Sequence, residues 1–406
     1  MPIAQRPYWT ALITALMGTL SLPAAATNGM NLEAYGAQAG GMGGASMAYD
    51  NGNSALMNNP ATLGLRQEGQ NIGVGMTLLM PDVKTITPFG STANSGGDEY
   101  WMPSASYIRK SGSFTYGVGM LAQGGMGTEY GSALSGNPNL PFRSEVGFGR
   151  LMFPLAYNVN PRLTVGGQLD YVWASMDAQM SPDGVNYVSF SDNNDFTGEA
   201  SGNGWAFKLG AHYKLSDTVS VGASYHSKTN IDDLQGSGTF NFMPANFKVI
   251  DFQWPETYGV GVAWQASPSW LLAADIKHLG WKNSMRTFRL AVNGMEMGLP
   301  QNWQNQTVYL LGAQYTLRPG LALRFGINHA SNPVPDGTLN PLFPATVKTH
   351  YTLGLGWTIG GGHSVAGSVA FAPKVTSTNP NMFGPGMAGT VTHGQTVLRV
   401  NYNYAF

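Results

Sequence analysis

The chain has 406 residues, no cysteine and a formal net charge of −1, which excludes disulfides, zinc–thiolate sites and thiol catalysis and offers nothing to nucleic acid. Only 11% of residues are charged, against roughly 25% in soluble domains, while 43% are hydrophobic and 54 are glycine, each worth about 1 kcal/mol against a helix interior. Past residue 26 no stretch has the roughly 18 consecutive apolar residues of a membrane helix, so low charge here fits strands whose apolar and polar side chains alternate.

The first element is residues 1–26. Arg6 precedes an apolar run from Ala11 to Leu22, and Pro23-Ala24-Ala25-Ala26 follows it. That pattern is a secretory signal peptide, with cleavage expected after Ala26. Residues 27–68 are a second unit. The run Gly36-Ala37-Gln38-Ala39-Gly40-Gly41-Met42-Gly43-Gly44-Ala45 is small and shows no sustained alternation. It predicts a plug, or hatch, inside the lumen of a barrel rather than a wall strand.

Residues 69–406 read as that barrel: all-β, antiparallel and transmembrane, with fourteen strand candidates near 70–80, 99–109, 113–122, 146–158, 162–177, 201–215, 218–230, 252–265, 269–279, 305–317, 321–330, 347–359, 363–374 and 395–406. The last is the clearest. Thr396, Leu398, Val400, Tyr402, Tyr404 and Phe406 fall on one face, and Arg399, Asn401, Asn403 and Ala405 on the other. Leu163, Val165, Gly167, Leu169, Tyr171 and Trp173 repeat the pattern. The opposite registers carry Asp170, Lys208, Lys214, Asp275, Lys277, Arg324 and Arg399. A Lys or Arg facing mid-bilayer lipid costs about 2–4 kcal/mol, so these side chains should face the lumen. Pro103 and Pro154 interrupt two strands and predict local bulges or kinks.

Connections alternate between short turns and long loops, the long ones covering roughly 81–98, 123–145, 178–200, 231–251, 280–304, 331–346 and 375–394. Short periplasmic turns and long extracellular loops are the rule for bacterial barrels. With the signal peptide, this places the chain in the outer membrane, surrounded by its lipid. The terminal Phe406 looks like the signal read by the barrel assembly machinery. A monomer is expected.

The segment Gly41-Met42-Gly43-Gly44-Ala45, then Asp50, then Asn59-Pro60-Ala61, resembles the start of the FadL/TodX-type outer-membrane transporters of long-chain fatty acids and aromatic hydrocarbons. Gly119-Met120 through Gly127-Thr128-Glu129-Tyr130 is similar to that family's third-strand exit and the loop after it. The resemblance implies uptake of hydrophobic compounds. Ligand would be captured among the loops, pass to a site lined by the plug's N-terminus, and leave sideways through a kinked third strand. By position the N-terminal contacts would be Asn28, Met30 and Leu32, and the kink would involve Gly117, Gly119, Gly124 and Gly125. By the same resemblance Asn59, Pro60 and Ala61 would form the plug motif, and Asn59 and Pro60 would help pack the plug against the opening.

The loops themselves are apolar. Phe240, Phe242, Met243, Phe247 and Phe252 follow one another in one, and Phe288, Leu290, Met295 and Met297 in the next. Such residues suit a hydrophobic ligand, and they equally suit a loop core packed on itself. A fatty-acid carboxylate would need a lumen cation; the candidates are Lys208, Lys277, Arg324 and Arg399, any of which could instead pair with wall neighbours. A neutral aromatic would need none. There is no G-x-S-x-G and no H-E-x-x-H, the seven histidines are scattered, and neither enzyme, metal nor cofactor is expected. The alternatives to a hydrophobic-compound channel are a general porin, a structural or adhesin barrel, and, last, a barrel phospholipase.

Overall fold

The computed structural model describes residues 28–194 and 197–406, so the expected signal peptide lies outside the described residues. The strands are β1 (Gly69–Ile86), β2 (Thr92–Asn94), β3 (Tyr100–Ser111), β4 (Phe114–Gly131), β5 (Phe142–Asn158), β6 (Leu163–Met180), β7 (Val188–Phe190), β8 (Ala200–Lys214), β9 (Val219–His226), β10 (Asn230–Ile231), β11 (Leu234–Phe240), β12 (Met243–Ile250), β13 (Thr257–Ser267), β14 (Trp270–Leu279), β15 (Thr287–Val292), β16 (Met295–Pro300), β17 (Gln306–Arg318), β18 (Leu321–Ala330), β19 (Thr349–Gly360), β20 (His363–Asn379) and β21 (Gly389–Ala405). β1 pairs with β3 on one side and β21 on the other, both antiparallel, so the sheet closes on itself. From β3 the wall continues through β4, β5, β6, β8, β9, β13, β14, β17, β18, β19 and β20 to β21. Closure pairs the first wall strand with the last, which is what permits strands to cross a bilayer.

The expectation of fourteen strands needs correction: the sheet has 21 segments. The additional ones, β2, β7, β10, β11, β12, β15 and β16, arise where loops are expected. Hairpins explain part of this. Asn293 and Gly294 both take positive φ (49° and 86°), a tight turn that joins β15 to β16 without any loop. Wall strands also outrun their expected ends, with β1 reaching Ile86, β4 Gly131 and β20 Asn379.

The alternation holds in the structure. Leu398, Val400 and Tyr402 are exposed on the outer face, while Arg399 between them is buried. Asp170, Lys208, Asp275 and Arg324 are likewise buried inside the wall, whereas Lys214, near the end of β8, is exposed. The prolines act through the missing N–H rather than through bulges of their own. Around Pro154 the β4–β5 ladder skips from Tyr116↔Leu155 to Gly119↔Met152, while β5–β6 runs on unbroken through Pro154↔Gln168.

Residues 28–68 pack against inward side chains of the wall. They contain one short helix, α1 (Ala37–Gly41), and two 3-10 turns, Gly52–Leu56 and Pro60–Leu65. A segment with so little regular structure leaves many backbone groups to satisfy, and inward wall side chains supply the partners. Asp275 Oδ2 accepts from the N–H groups of Ser46 (2.6 Å) and Met47 (3.1 Å). Asn401 Oδ1 accepts from Ala37 N–H at 2.6 Å, and Thr352 Oγ1 accepts from Gly43 N–H at 3.0 Å. Inward wall glycines make the close approach possible. A Cβ on Gly222 would sit 1.8 Å from the Met47 carbonyl oxygen, and one on Gly326 would sit 2.0 Å from Gly43 N.

Candidate functional site

The wall parts where β4 leaves β3. Their ladder runs from Ser111↔Phe114 to Ser104↔Leu121 and stops. Beyond it, among the strands, Tyr100–Pro103 ladder only with β1 and 122–131 only with β5, and the two sides meet again where the Glu129 carbonyl accepts from Gly96 N–H at 2.6 Å. The β4–β5 register shifts between Ala122 and Gly124, which makes Gln123 the extra residue of a bulge. Gly124 adopts φ 153°, and a Cβ there would lie 2.5 Å from the Met30 carbonyl oxygen. That carbonyl accepts from Gly125 N–H at 3.1 Å, and Asn31 bridges Gly124. The N-terminal stretch from Asn28 to Leu32 is thus docked on the bulge. At the far end of the gap, a Cβ on Gly127 would meet the Tyr100 hydroxyl at 2.2 Å.

A cavity of about 710 Å³ passes through this gap. Inside, it touches Gly29, Phe148 and Ala174; at the parting, Met102, Pro103 and Gly124; outside, Trp101, Met120 and Trp173. No lysine or arginine lines it. Its one carboxylate, Glu145, is bound by Arg143 at 2.7 Å.

Behind the cavity an apolar core continues toward the long loops. Phe148 packs against Trp254 (ring centroids 4.8 Å apart), Trp254 against Trp281 (5.6 Å) and Trp281 against Trp303 (5.3 Å). Met30, Phe247 and Phe252 are buried in the same core. Phe240 is half-buried at its margin, while Phe242 stands exposed at the β11–β12 turn with φ 66°. Of the expected loop contacts, Phe247 and Phe252 therefore belong to a packed core continuous with Met30.

The kink glycines divide. Gly117 and Gly119 sit in regular ladder opposite Ile108 and Ser106, whereas Gly124 and Gly125 flank the parting. Asn59 caps the turn Pro60–Leu65: its Oδ1 accepts from Ala61 N–H at 3.1 Å, and its Nδ2 donates to the carbonyls of Met47 (2.8 Å) and Ala211 (3.1 Å). Pro60 and Ala61 press on Gly166 of β6 and Asn59 on Gly210 of β8, so the motif packs there rather than at the gap. Asn59→Ala is expected to cost about 1–3 kcal/mol, from the lost cap and two stranded carbonyls. The measurement is the urea midpoint of the folded barrel, and an unchanged midpoint would remove Asn59 from this role.

The four candidate cations also face the N-terminal segment or the wall. Lys208 donates to the Met57 carbonyl, Lys277 to that of Gly44 (3.2 Å), and Arg324 Nε to Gln314 Oε1 (2.8 Å). Arg399 lies 2.6 Å from Glu33, and both are at most 1% exposed. None of the four lines the cavity. Glu33, Tyr35, Gln123 and Arg150 are functional-site neighbours that reading the sequence overlooks. A phase slip in the alternation at Ala122-Gln123-Gly124 is the signal that could have exposed Gln123.

The model of the outer membrane protein transport protein family (OMPP1/FadL/TodX) matches residues 16–406. Among solved structures, the P. putida toluene transporter TodX is similar, with a TM-score of 0.82 at 27% identity over 93% of this chain and 99% of that one. The Ralstonia pickettii toluene transporter TbuX has a TM-score of 0.76 at 26% identity, covering 93% of this chain and 99% of that one. An uncharacterized Chlorobium limicola protein, from the 5′ region of a phosphoenolpyruvate carboxykinase gene, is 63% identical over 62 residues; this covers 15% of the chain and 30% of that relative's length. The chain belongs to the OMPP1/FadL/TodX family of outer-membrane transport proteins, which are channels and not enzymes.

Proposed function

We propose that the chain carries neutral hydrophobic molecules, aromatic or aliphatic hydrocarbons, from the outside into the outer leaflet through the gap between β3 and β4. Residues 27–68 act as the plug that closes the water path. Cargo partitions into the apolar core behind the loops, reaches the cavity beside Gly29 and Met30, and leaves past Trp101 and Trp173. The closed wall needs no second copy, and Phe406, exposed beside its backbone bonds to Gln70, serves as the assembly signal.

One observation carries this reading: a largely apolar cavity spans the gap with no lysine or arginine in its lining. A carboxylate taken out of water needs a charge-assisted partner. Here Glu145 would repel it, and Lys208, Lys277, Arg324 and Arg399 are already engaged elsewhere. The similar TodX and TbuX are toluene transporters, which favours the same choice.

The test is uptake of labelled toluene, hexadecanoate and sucrose by cells with and without the protein. Toluene uptake is expected to rise at least tenfold, with hexadecanoate and sucrose near background. Ready sucrose flux would restore the porin reading, and hexadecanoate alone would restore the fatty-acid reading.

A further inference from the structure

The parting of the wall has a brace that takes no part in lining the cavity. Past Ser104↔Leu121 the register puts Pro103, which has no N–H to give, opposite Ala122, so that rung is lost; beyond it Met102 would stand opposite Gln123 and the ladder could resume. Each recovered ladder bond would contribute about 0.5–1.5 kcal/mol, so something must hold β4 away.

Gln123 is placed to do so. It is buried, its side chain points inward from the bulge, and its Oε1 accepts from Arg150 Nε of β5. Arg150 is itself fixed: its Nη1 donates to Asp170 Oδ2 of β6 at 3.0 Å. Asp170 is held in turn by Gln168 Nε2 at 2.6 Å and His226 Nε2 of β9 at 3.0 Å. From the other side, the Tyr35 hydroxyl lies 2.7 Å from the Gln123 carbonyl oxygen and 2.6 Å from Asn31 Oδ1. Its single proton serves one of these acceptors at a time, yet it ties the bulge to the stretch docked on Gly124. Strands β5, β6 and β9 and the N-terminal segment thus converge on one inserted residue.

We propose that Gln123 is the positioning residue of the gap: braced by Arg150 and Tyr35, it keeps β4 bulged and the wall parted with no cargo present. The proposal rests on the reading that cargo leaves through this gap, and it adds which side chain holds that gap and which partners brace it. Deleting Gln123 preserves the facing of every later β4 residue toward β5, because the bulge is the only frame shift at that point. The ladder with β3 can then extend, with Tyr100 opposite Met126.

The natural chain has no cysteine, so the closure can be trapped. The pair Tyr100→Cys and Met126→Cys is placed in the parent and in the Gln123 deletion, with heat-modifiable mobility on gels as the check of folding. The disulfide is expected to form in the deletion and not in the parent, and toluene uptake is expected to fall at least tenfold in the deletion without the cysteines. Gln123→Leu, which removes the side-chain amide but keeps the inserted residue and its backbone carbonyl, serves as the gentler variant and should lower uptake severalfold. Uptake within twofold of the parent in both folded variants overturns the proposal, as does equal disulfide formation in parent and deletion. If the parent carries no toluene, the functional reading fails, and the disulfide comparison still decides whether Gln123 holds the strands apart.

Discussion

Replacing Gly147 by phenylalanine is expected to cut toluene uptake at least tenfold while leaving the barrel as stable as before. Gly147 faces outward on β5, opposite Gly125, and lines the cavity where it passes the wall. A Cβ at Gly147 meets nothing within 4 Å, so a large side chain enters without strain and fills the passage. Its neighbour shows the contrast: a Cβ on Gly125 would lie 1.9 Å from the Val146 carbonyl oxygen, and substitution there should distort the strand itself. Gly167→Phe is the control, since Gly167 lies on the same outer face, with only Leu209 Cδ2 near its Cβ position (4.0 Å), and lines no part of the cavity. Initial uptake rates of the three proteins decide the matter. Equal loss in both variants, or no loss in Gly147→Phe, would rule out the gap as the exit.

Arg399→Met and Glu33→Met should each destabilise the folded protein by about 3–5 kcal/mol, because each strands a buried charge, while the double substitution should stand close to the parent. The pair is 2.6 Å apart and joins the N-terminal segment to β21. Urea midpoints of all four proteins in detergent give the coupling, and additive single effects would show that the two residues act independently. Either single substitution should also loosen the segment and raise ion conductance in planar bilayers. Burial by itself would raise the Glu33 carboxyl, but Arg399 and His350 beside it more than offset that and hold it below its ordinary value. The sign follows. A carboxyl depressed in the folded state adds stability at neutral pH, and that share is lost as pH falls below the ordinary carboxylate range through the lower folded value. Acid should therefore narrow the gap between parent and Glu33→Met.

Which side of each strand meets lipid was decided by the sequence itself. The order Leu398, Arg399, Val400 admits one orientation, because a charge among lipid tails costs kilocalories and a period of two leaves no third face. The N-terminal segment was legible for a similar reason, since glycine and alanine without alternation cannot form such a wall. The hairpins β11–β12 and β15–β16 were less visible, because turn residues such as Asn293 and Gly294 suit a loop and a two-residue hairpin equally.

Only the tertiary structure decided where the wall opens and what the lumen charges do. Gly117, Gly119, Gly124 and Gly125 are chemically alike, yet two lie in unbroken ladder with β3 and two flank the parting. The difference comes from groups remote in sequence, Tyr35 and Arg150, that converge on Gln123. Lys208, Lys277 and Arg399 looked equally free to bind a carboxylate until the N-terminal segment filled the space in front of them. Local alternation depends on neighbours two residues away and so can be read along the chain. The partner of a buried polar group depends on which distant segments closure brings together, and no local pattern encodes that.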